Sequence, residues 1–128
     1  NRSAVRRLKK TETSEKIYRM VVELDKTVSD EDLKMLEKAL TGAVIHQQTP
    51  SRVLHRRSNR VREKYIYEAK INKLSPNRIE MKIRCQGGLY IKELVTGDEG
   101  RTKPNIAEIL SVEAKPLKLD VLNIVMKR

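Results

Sequence analysis

The sequence has few of the residues that mark several common classes of protein. It contains one cysteine, which excludes an internal disulfide and favours a reducing compartment such as the cytoplasm. Phenylalanine and tryptophan are absent and tyrosine occurs four times, so a sheet that stacks several bases on exposed rings is not expected. No apolar run approaches the ~18 residues that span a bilayer. The remaining composition, 38% hydrophobic and 35% charged, predicts one globular domain with a very polar surface.

Patterns for bound metals and nucleotide phosphates are also missing. His46 and His55 fall on different expected elements, and Cys85 lies in a strand pattern, so no set of metal ligands emerges. Neither a GxxxxGK[ST] nor a GxGxxG loop is present, and the Gly87-Gly88 pair alone is a weak signal. A nucleophilic cysteine needs a nearby base, so we expect Cys85 to be a small core residue. The sequence predicts no metal site.

The charge balance is the strongest global signal that is present. The net charge is +11 and the pI is about 10.0, which makes polyanions the expected partners. Nucleic acid is favoured over an anionic membrane because the chain has no long basic amphipathic helix with bulky apolar residues. A contact with RNA or DNA is therefore expected to be made mainly through phosphates.

The basic residues concentrate in the segment 52–64. They comprise Arg52, Arg56, Arg57, Arg60, Arg62 and Lys64, against one acid, Glu63. A solvated loop usually carries charges of both signs, whereas this segment is almost purely basic. Guanidinium groups match phosphate oxygens, and each phosphate contact makes affinity fall with salt. Both the solvated loop and a nucleic-acid contact remain open, and the composition favours the contact.

Hydrophobic periodicity predicts an α+β fold with a largely antiparallel mixed sheet flanked by short helices. A basic tail or linker is expected over 1–15, and a strand over 16–24 whose even-numbered residues face the core. A helix capped by Ser29 follows, then a short strand, the basic segment and a hairpin turning at 75–77. The chain closes with a short helix started by Pro104 and one or two strands. An exposed sheet edge makes dimerisation a further possibility.

The stretch 85–104 organises the rest of the chain. A strand pattern leads into Gly87-Gly88 and then into a short helix over 90–95, with Lys92 in its first turn. Lys92 could be an ordinary surface lysine, or it could face a cleft and hold a carboxylate, because Glu93 beside it points elsewhere. Tyr18 alternates with Met20 and Val22, and this spacing favours a core residue over a ligand contact, with both interpretations open.

Several separated motifs resemble one enzyme family. The sequences are KIYRMVVEL, QQTPSRVLHRRSNRVR, GGLYIKELVTGDEGRTKPNIAEIL and KLDV. They resemble, in the same order, motifs of the archaeal and eukaryotic tRNA pseudouridine synthases that act on uridines 54 and 55 of the T-arm. YIKEL is similar to the YIR or YIK motif, and KIYRM to the KxY motif, of pseudouridine synthases in general. The resemblance runs from about Lys16 to Met126.

This resemblance implies an RNA isomerase that flips a uridine out of its stack and needs no cofactor or metal. In such enzymes an aspartate attacks the nucleoside, the glycosidic bond breaks, and the uracil turns and is rejoined through C5. By the motifs, Tyr18 stacks on the flipped base and Lys92 pairs with the aspartate, which keeps the carboxylate ionised. The residues assigned to substrate binding are Ile91, Leu119, Arg52, Arg56 and Arg57, of which the three arginines lie on the RNA-binding face. tRNA is the implied partner.

One departure from the family pattern bears on activity. The nucleophile of the family lies in a Gly-Arg-Glu-Asp-Xaa-Asp type motif upstream of the KxY tyrosine, and no such motif occurs here. Asp98 and Asp120 do not match it. We therefore expect residues 16–128 to form the C-terminal part of a catalytic domain, a pseudouridine-synthase-like half domain that is inactive alone. The alternative is a non-catalytic basic RNA-binding domain, which has the same salt dependence and no turnover.

Overall fold

A computed structural model of the chain describes the backbone of residues 14–126 and the side chains of residues 15–122. Most of the predicted basic tail over 1–15 lies outside the described residues. The strands are β1 (Ser14–Leu24), β2 (Val44–Gln48), β3 (Val61–Ser75), β4 (Arg78–Gln86), β5 (Thr102–Lys103) and β6 (Ala114–Met126). The helices are α1 (Asp30–Leu40), α2 (Ile91–Thr96) and α3 (Ile106–Leu110), and 3-10 turns occupy Ser51–Val53 and Asp98–Gly100.

The strands form one six-stranded sheet in the order β5-β2-β3-β4-β1-β6. Every pairing within the described residues is antiparallel, as expected for strands joined by hairpins and short helical connections. The order places β1 between β4 and β6, so the first strand runs through the middle of the molecule. β1 therefore brings the side chains of the KIYRM motif next to the last strand.

One face of the sheet carries the hydrophobic core. Tyr18, Met20, Val22 and Leu24 of β1 are buried there, with Tyr18 8% exposed and the other three at most 1% exposed, which confirms the predicted alternation over 18–24. Ile66, Ala69 and Ile71 of β3 are also buried, although a strict alternation would place them on opposite faces. The register shift between Ile66 and Glu68 inserts one residue and restores the inward direction, which confirms the bulge expected in this strand.

The helix α1 begins and ends where its local signals predict. The Ser29 side chain accepts a hydrogen bond from the Asp32 N–H, and the Asp32 side chain accepts one from the Ser29 N–H, which completes a capping box. Leu33, Leu36 and Leu40 are buried against the sheet. Gly42 follows the helix with a φ of +79°, a conformation that glycine adopts at little cost.

Two boundaries differ from the sequence prediction, and the structure decides a third point that the sequence left open. The last helix begins at Ile106 rather than at Pro104, because the Asn105 side chain accepts a hydrogen bond from the Glu108 N–H and caps it. β1 begins at Ser14, so the end of the predicted tail belongs to the sheet, where Glu15 is 2% exposed and pairs with Arg84. The final segment is one bulged strand paired along β1 rather than two.

The two edges of the sheet differ in length. β5 has two residues, whereas β6 has 13 and pairs with β1 only. Leu117, Val121 and Leu122 of β6 are more than 40% exposed. This arrangement agrees with the expected exposed edge, and dimerisation through it remains a prediction. In the part of the chain that the structure describes, no helix is long and apolar enough to cross a bilayer.

Cys85 is a buried core residue, as predicted, and its titration makes a testable contribution to stability. Burial raises the pKa of the thiol to about 12, and the side chain is fully buried. Because the unfolded chain loses this proton at lower pH than the folded chain, the free energy of unfolding should fall between about pH 9 and 12, by up to about 1.4 kcal/mol per pH unit. Urea denaturation of the chain and of Cys85→Ala across this range measures the difference. Equal slopes for the two proteins would contradict the prediction.

Candidate functional site

The start of helix α2 is fixed by a glutamine of the neighbouring strand β2. The Gln47 side chain donates to the Tyr90 carbonyl oxygen at 3.1 Å and accepts from the Tyr90 N–H at 2.9 Å. Its amide also donates to Thr102 Oγ1 at 3.0 Å, and Gln47 is completely buried. A buried amide with these partners holds the chain in one place, because breaking any of the bonds leaves a polar group unsatisfied. Gln47 therefore anchors the start of α2 to the neighbouring strand β2.

Lys92 of α2 and Leu119 of β6 lie in the wall of one cavity. Ile91, Leu94 and Val95 are buried in the core, whereas Lys92 is exposed. The cavity has a volume of about 290 Å³ and is lined by Lys92, Pro116, Leu117, Lys118 and Leu119. Two of the residues that the family motifs point to, separated in sequence, are thus brought together, whereas Ile91 does not line the cavity and is buried in the core.

Tyr18 lies beside this cavity on the same face of the sheet. Its neighbour in β1, Met20, is opposite Leu119 in the antiparallel register, and Tyr18 itself is opposite Val121. Burial and the nearby Cys85 thiol raise the pKa of the Tyr18 hydroxyl, so the phenol stays protonated at neutral pH. Tyr18 is not among the residues that line the cavity; the register places it opposite Val121, two residues along β6 from Leu119, which does line it.

Arg52 takes part in an ion pair with α2. Its Nε donates to Glu93 Oε2 at 2.8 Å and its Nη2 donates to Glu93 Oε1 at 3.3 Å. This hydrogen bond is the main reason that the pKa of Arg52 is raised. The guanidinium groups of Arg52 and Arg62 also lie 5.9 and 5.6 Å from the centre of the Tyr90 ring. The side chain of Arg52 is 52% exposed, so it reaches both the helix and the surface.

The segment 51–60, here called the arginine loop, is closed at its base. Thr49 Oγ1 donates to the Ser58 carbonyl oxygen at 2.8 Å and accepts from the Arg60 N–H at 3.0 Å. The Arg101 side chain donates to the Thr49 carbonyl oxygen at 2.9 and 3.1 Å and to Asn59 Oδ1 at 2.7 Å. These bonds tie both ends of the loop together, which reduces the entropy that ordering it on a ligand would cost.

The two aspartates that were considered for the nucleophile are engaged elsewhere. The Asp98 carboxylate accepts hydrogen bonds from the N–H and the hydroxyl of Ser51, and it lies 3.8 Å from the Arg101 Nε. The Asp120 carboxylate accepts a hydrogen bond of 3.1 Å from Arg19 on the opposite face of the sheet. Neither residue lines the cavity at Lys92. These contacts give no support to a nucleophilic role for either aspartate, and neither aspartate matches the nucleophile motif.

The positive charge of the chain is distributed unevenly. Three arginines of the sheet pair with acids of adjacent strands, in the pairs Arg19–Glu80, Arg19–Asp120, Arg78–Glu23 and Arg84–Glu15. By contrast, Arg56 and Arg57 are exposed and form no ion pair with any described residue. Exposed lysines on the sheet and on α1 are also unpaired among the described residues, but the arginine loop places two adjacent unpaired guanidinium groups together, which suits contact with phosphates.

No group of histidine, cysteine, aspartate or glutamate side chains among the described residues is arranged to hold a metal ion. His46 pairs with Glu63 on the open face of the sheet, and Cys85 is enclosed in the core. The chemistry of this surface is thus that of arginines, a neutral tyrosine and a cavity whose wall combines two lysines with leucine and proline side chains.

A comparison with known protein families decides the relationship of this chain. The family described as "Pus10, C-terminal" matches residues 1–125. This chain belongs to that family. The match begins in the segment predicted to be a tail and extends through β6, so it includes all of the motifs quoted above. The resemblance to the tRNA pseudouridine synthases is confirmed.

Relatives of the Pus10 C-terminal family agree with this assignment. The tRNA pseudouridine synthase Pus10 of Methanocaldococcus jannaschii is 49% identical over 109 residues, which are 85% of this chain and 24% of that protein. The tRNA pseudouridine synthase Pus10 of Pyrobaculum arsenaticum is 47% identical over 127 residues, which are 97% of this chain and 30% of that protein. The chain thus spans less than a third of the length of these relatives.

Solved structures share the fold of this Pus10 C-terminal chain. A crystal structure of a Cbf5-Nop10-Gar1 complex superimposes with a TM-score of 0.69 at 18% identity, covering 94% of this chain and 33% of that one. A structure of an H/ACA RNP bound to a substrate RNA containing 2'-deoxyuridine superimposes with a TM-score of 0.61 at 15% identity. The expected α+β fold with a largely antiparallel sheet is confirmed.

Four residues that hold the site together were not predicted from the sequence, namely Gln47, Glu93, Asp98 and Arg101. Each is polar and lies inside one of the motifs quoted above, and this position was the signal that could have identified it as a site residue. Gln47 also has a buried position in the alternation of β2, where a polar side chain requires a partner. Their partners are distant in sequence, so spacing alone could not assign them.

Proposed function

We propose that this chain is the C-terminal part of the catalytic domain of a tRNA pseudouridine synthase that isomerises uridine 54, uridine 55 or both in the T-arm. The observation that carries the proposal is the shared cavity of Lys92 and Leu119 beside Tyr18, in a chain of the Pus10 C-terminal family. The reaction is an isomerisation, so it consumes no co-reactant. The N1–C1′ bond breaks, a C5–C1′ bond forms, and the proton lost from C5 is balanced by one gained at N1.

The residues of the cavity have separate roles in this proposal. The Lys92 ammonium pairs with the nucleophilic aspartate, which lies outside the described residues, and keeps it ionised by an attraction that grows in a water-poor site. Tyr18 stacks on the flipped base with its phenol protonated. Leu119 closes the pocket around the uracil, and Ile91 is the buried apolar residue beside Lys92. The chain alone, lacking the aspartate motif, has no turnover.

The arginine loop supplies the binding energy for tRNA in this proposal. Arg56 and Arg57 contact phosphates, and Arg52 contributes from the base of the loop. Because the loop is closed by Thr49 and Arg101, the arginines are held near their bound positions and lose little freedom on binding. A T-arm is a compact folded RNA, which a fixed group of cations can recognise by the spacing of its phosphates.

We also place the parent enzyme in the cytoplasm.

A salt titration tests the binding part of the proposal. Fluorescence anisotropy measures the affinity of the chain for a labelled T-arm stem-loop RNA between low and moderate salt. The double variant Arg56→Ala/Arg57→Ala should bind about tenfold more weakly, and its slope of log affinity against log salt should be smaller by roughly 1.5 to 2, since two phosphate contacts are lost.

The control is Lys34→Ala/Lys38→Ala, which removes the same charge from the exposed surface of α1. Both double variants lose two positive charges, so the long-range attraction to RNA weakens equally in both. Only the loss of direct phosphate contacts should distinguish the arginine variant. Identical slopes for the two variants would show that the arginine loop is not the binding surface. The alternative of a non-catalytic RNA-binding domain predicts the same slopes, and an assay of pseudouridine formation by the full-length parent protein distinguishes it.

A further inference from the structure

Arg52 and Glu93 connect the arginine loop to the helix that carries Lys92. Arg52 lies in the 3-10 turn at the start of the loop, and Glu93 directly follows Lys92 in α2. The two side chains meet through a fork of two hydrogen bonds, at 2.8 and 3.3 Å, although the residues are far apart in sequence. This pair of side chains therefore links the base of the arginine loop directly to α2.

The pair is strongly coupled because Glu93 is buried. Glu93 is 7% exposed, and both of its carboxylate oxygens accept hydrogen bonds from Arg52. A buried carboxylate that loses its cation keeps the cost of desolvation without the compensating attraction. The carboxylate of Glu93 is therefore constrained to stay with the guanidinium group of Arg52.

Arg52 can hold Glu93 and an anion at the same time. A guanidinium group has five N–H donors, and the fork to Glu93 uses two of them. The other donors make no hydrogen bond to a described residue, and the side chain is 52% exposed. An RNA phosphate on the outer edge of Arg52 would share the charge with Glu93 rather than replace it. This geometry reconciles the predicted place of Arg52 on the RNA-binding face with its pairing to α2.

A second contact makes the loop base and the α2 region one unit. Ser51 donates from its N–H and its hydroxyl to the Asp98 carboxylate, which lies just after α2. Together with Arg52–Glu93, this contact ties the first two residues of the loop to both ends of the segment 93–98. Lys92 is the residue immediately before this segment, so the direction of its side chain depends on how the segment is held.

We propose that Glu93 is a positioning residue, which sets the orientation of Lys92 in response to RNA held by the arginine loop through Arg52. The inference rests on the proposed function, because it assigns the consequence of the pairing to Lys92. It differs from that function in assigning Glu93 no contact with RNA or with the reacting atoms. Its effect appears in the rate of the chemical step rather than in affinity.

The first experiment measures turnover of T-arm RNA by the full-length parent enzyme. Glu93→Gln should lower kcat by about 10- to 100-fold, because a small displacement of a catalytic group is this costly. The Kd for RNA should change less than about threefold, since the phosphate contacts remain. Glu108→Gln is the control, because Glu108 is exposed on α3 and lies outside the site. Arg52→Lys, which keeps the charge but not the fork, should lower kcat in the same direction.

A second variant keeps the test valid if Glu93→Gln is less stable. Thermal unfolding of each variant shows whether it is folded at the assay temperature. Arg52→Ala is also measured alone. In the double variant Arg52→Ala/Glu93→Gln, the loss in kcat should be no larger than the greater of the losses in Arg52→Ala and in Glu93→Gln, since the residues act as one pair. Additive losses would overturn the coupling.

The second experiment uses this chain and needs no turnover. Hydrogen exchange of the α2 amides is followed with and without T-arm RNA. Protection of Leu94 to Gly97 should increase on RNA binding, and Glu93→Gln should abolish the increase while RNA still binds. If RNA binds and α2 exchange does not change, the coupling is wrong although the proposed function stands. If Lys92→Ala leaves turnover intact, the proposed function fails, and the assignment of Glu93 to the positioning of Lys92 fails with it.

Discussion

Lys92→Ala in the full-length parent enzyme is expected to lower kcat by about 10³-fold, the scale observed when one preorganised electrostatic contact to a reacting group is removed. The reason is local. Lys92 is exposed in the wall of a cavity that it shares with residues 116–119 of β6, and in the proposed function its ammonium is the partner of the nucleophilic carboxylate. Without it the carboxylate loses its orientation and is more easily protonated. Single-turnover conversion of uridine in T-arm RNA measures the effect.

The affinity for RNA separates this role from a phosphate contact. The Kd of Lys92→Ala should stay within about threefold of that of the unaltered enzyme. A charge that does not contact phosphate contributes only long-range attraction to RNA, which salt screens. Lys115→Ala is a matched control, since Lys115 is an exposed lysine of β6 that does not line the cavity. If Lys92→Ala weakens binding as much as it slows turnover, then Lys92 contacts phosphate and the catalytic assignment is wrong.

Gly97→Ala is expected to destabilise the chain by about 2–4 kcal/mol, a large part of the stability of a domain of this size. Gly97 ends α2 with a φ of +85°, where an L side chain is strained. A Cβ at this position would also lie 2.5 Å from Asn105 Nδ2 and 2.8 Å from its Cγ. Asn105 cannot move aside, because it is buried, donates to the Thr102 carbonyl oxygen and caps α3.

Gly100→Ala provides the control for backbone strain. Gly100 has a φ of +88°, but a Cβ there would meet only the flexible end of Lys103 at 3.7 Å. Its cost in free energy of unfolding should be about 1–2 kcal/mol, and the difference between the two variants measures the contact with Asn105. Urea denaturation gives both values. Equal destabilisation of the two variants would show that the space around Gly97 is not limiting.

Local signals in the sequence were sufficient for most of the fold. The alternation in β1, the Ser29 cap of α1 and the 75–77 turn are each determined by contacts between residues close in sequence. The bulge in β3 could be expected because Ile66, Ala69 and Ile71 do not fit one alternation. The start of the last helix was predicted wrongly at Pro104, because the capping bond of Asn105 to Glu108 competes with the preference of proline for a first helical turn.

The candidate site was predicted from motifs rather than from spacing. Spacing left Lys92 between a surface lysine and a cleft residue, and it favoured Tyr18 as a core residue. The resemblance assigned both to one site together with Leu119. The structure places Lys92 and Leu119 in one cavity and Tyr18 beside it. The catalytic roles of these residues remain predictions.

The sequence by itself determined the positive charge, the order of the elements and the motifs that relate the chain to its family, because these depend on composition and on short stretches of chain. Only the tertiary structure decided which cations are free. Arg52 and Arg56 belong to one basic segment, yet Arg52 is held by the buried Glu93 and Arg56 is unpaired in the part of the chain that is described. The reason is that an ion pair is formed across the fold, between residues that only the packing of α2 against the arginine loop brings within reach.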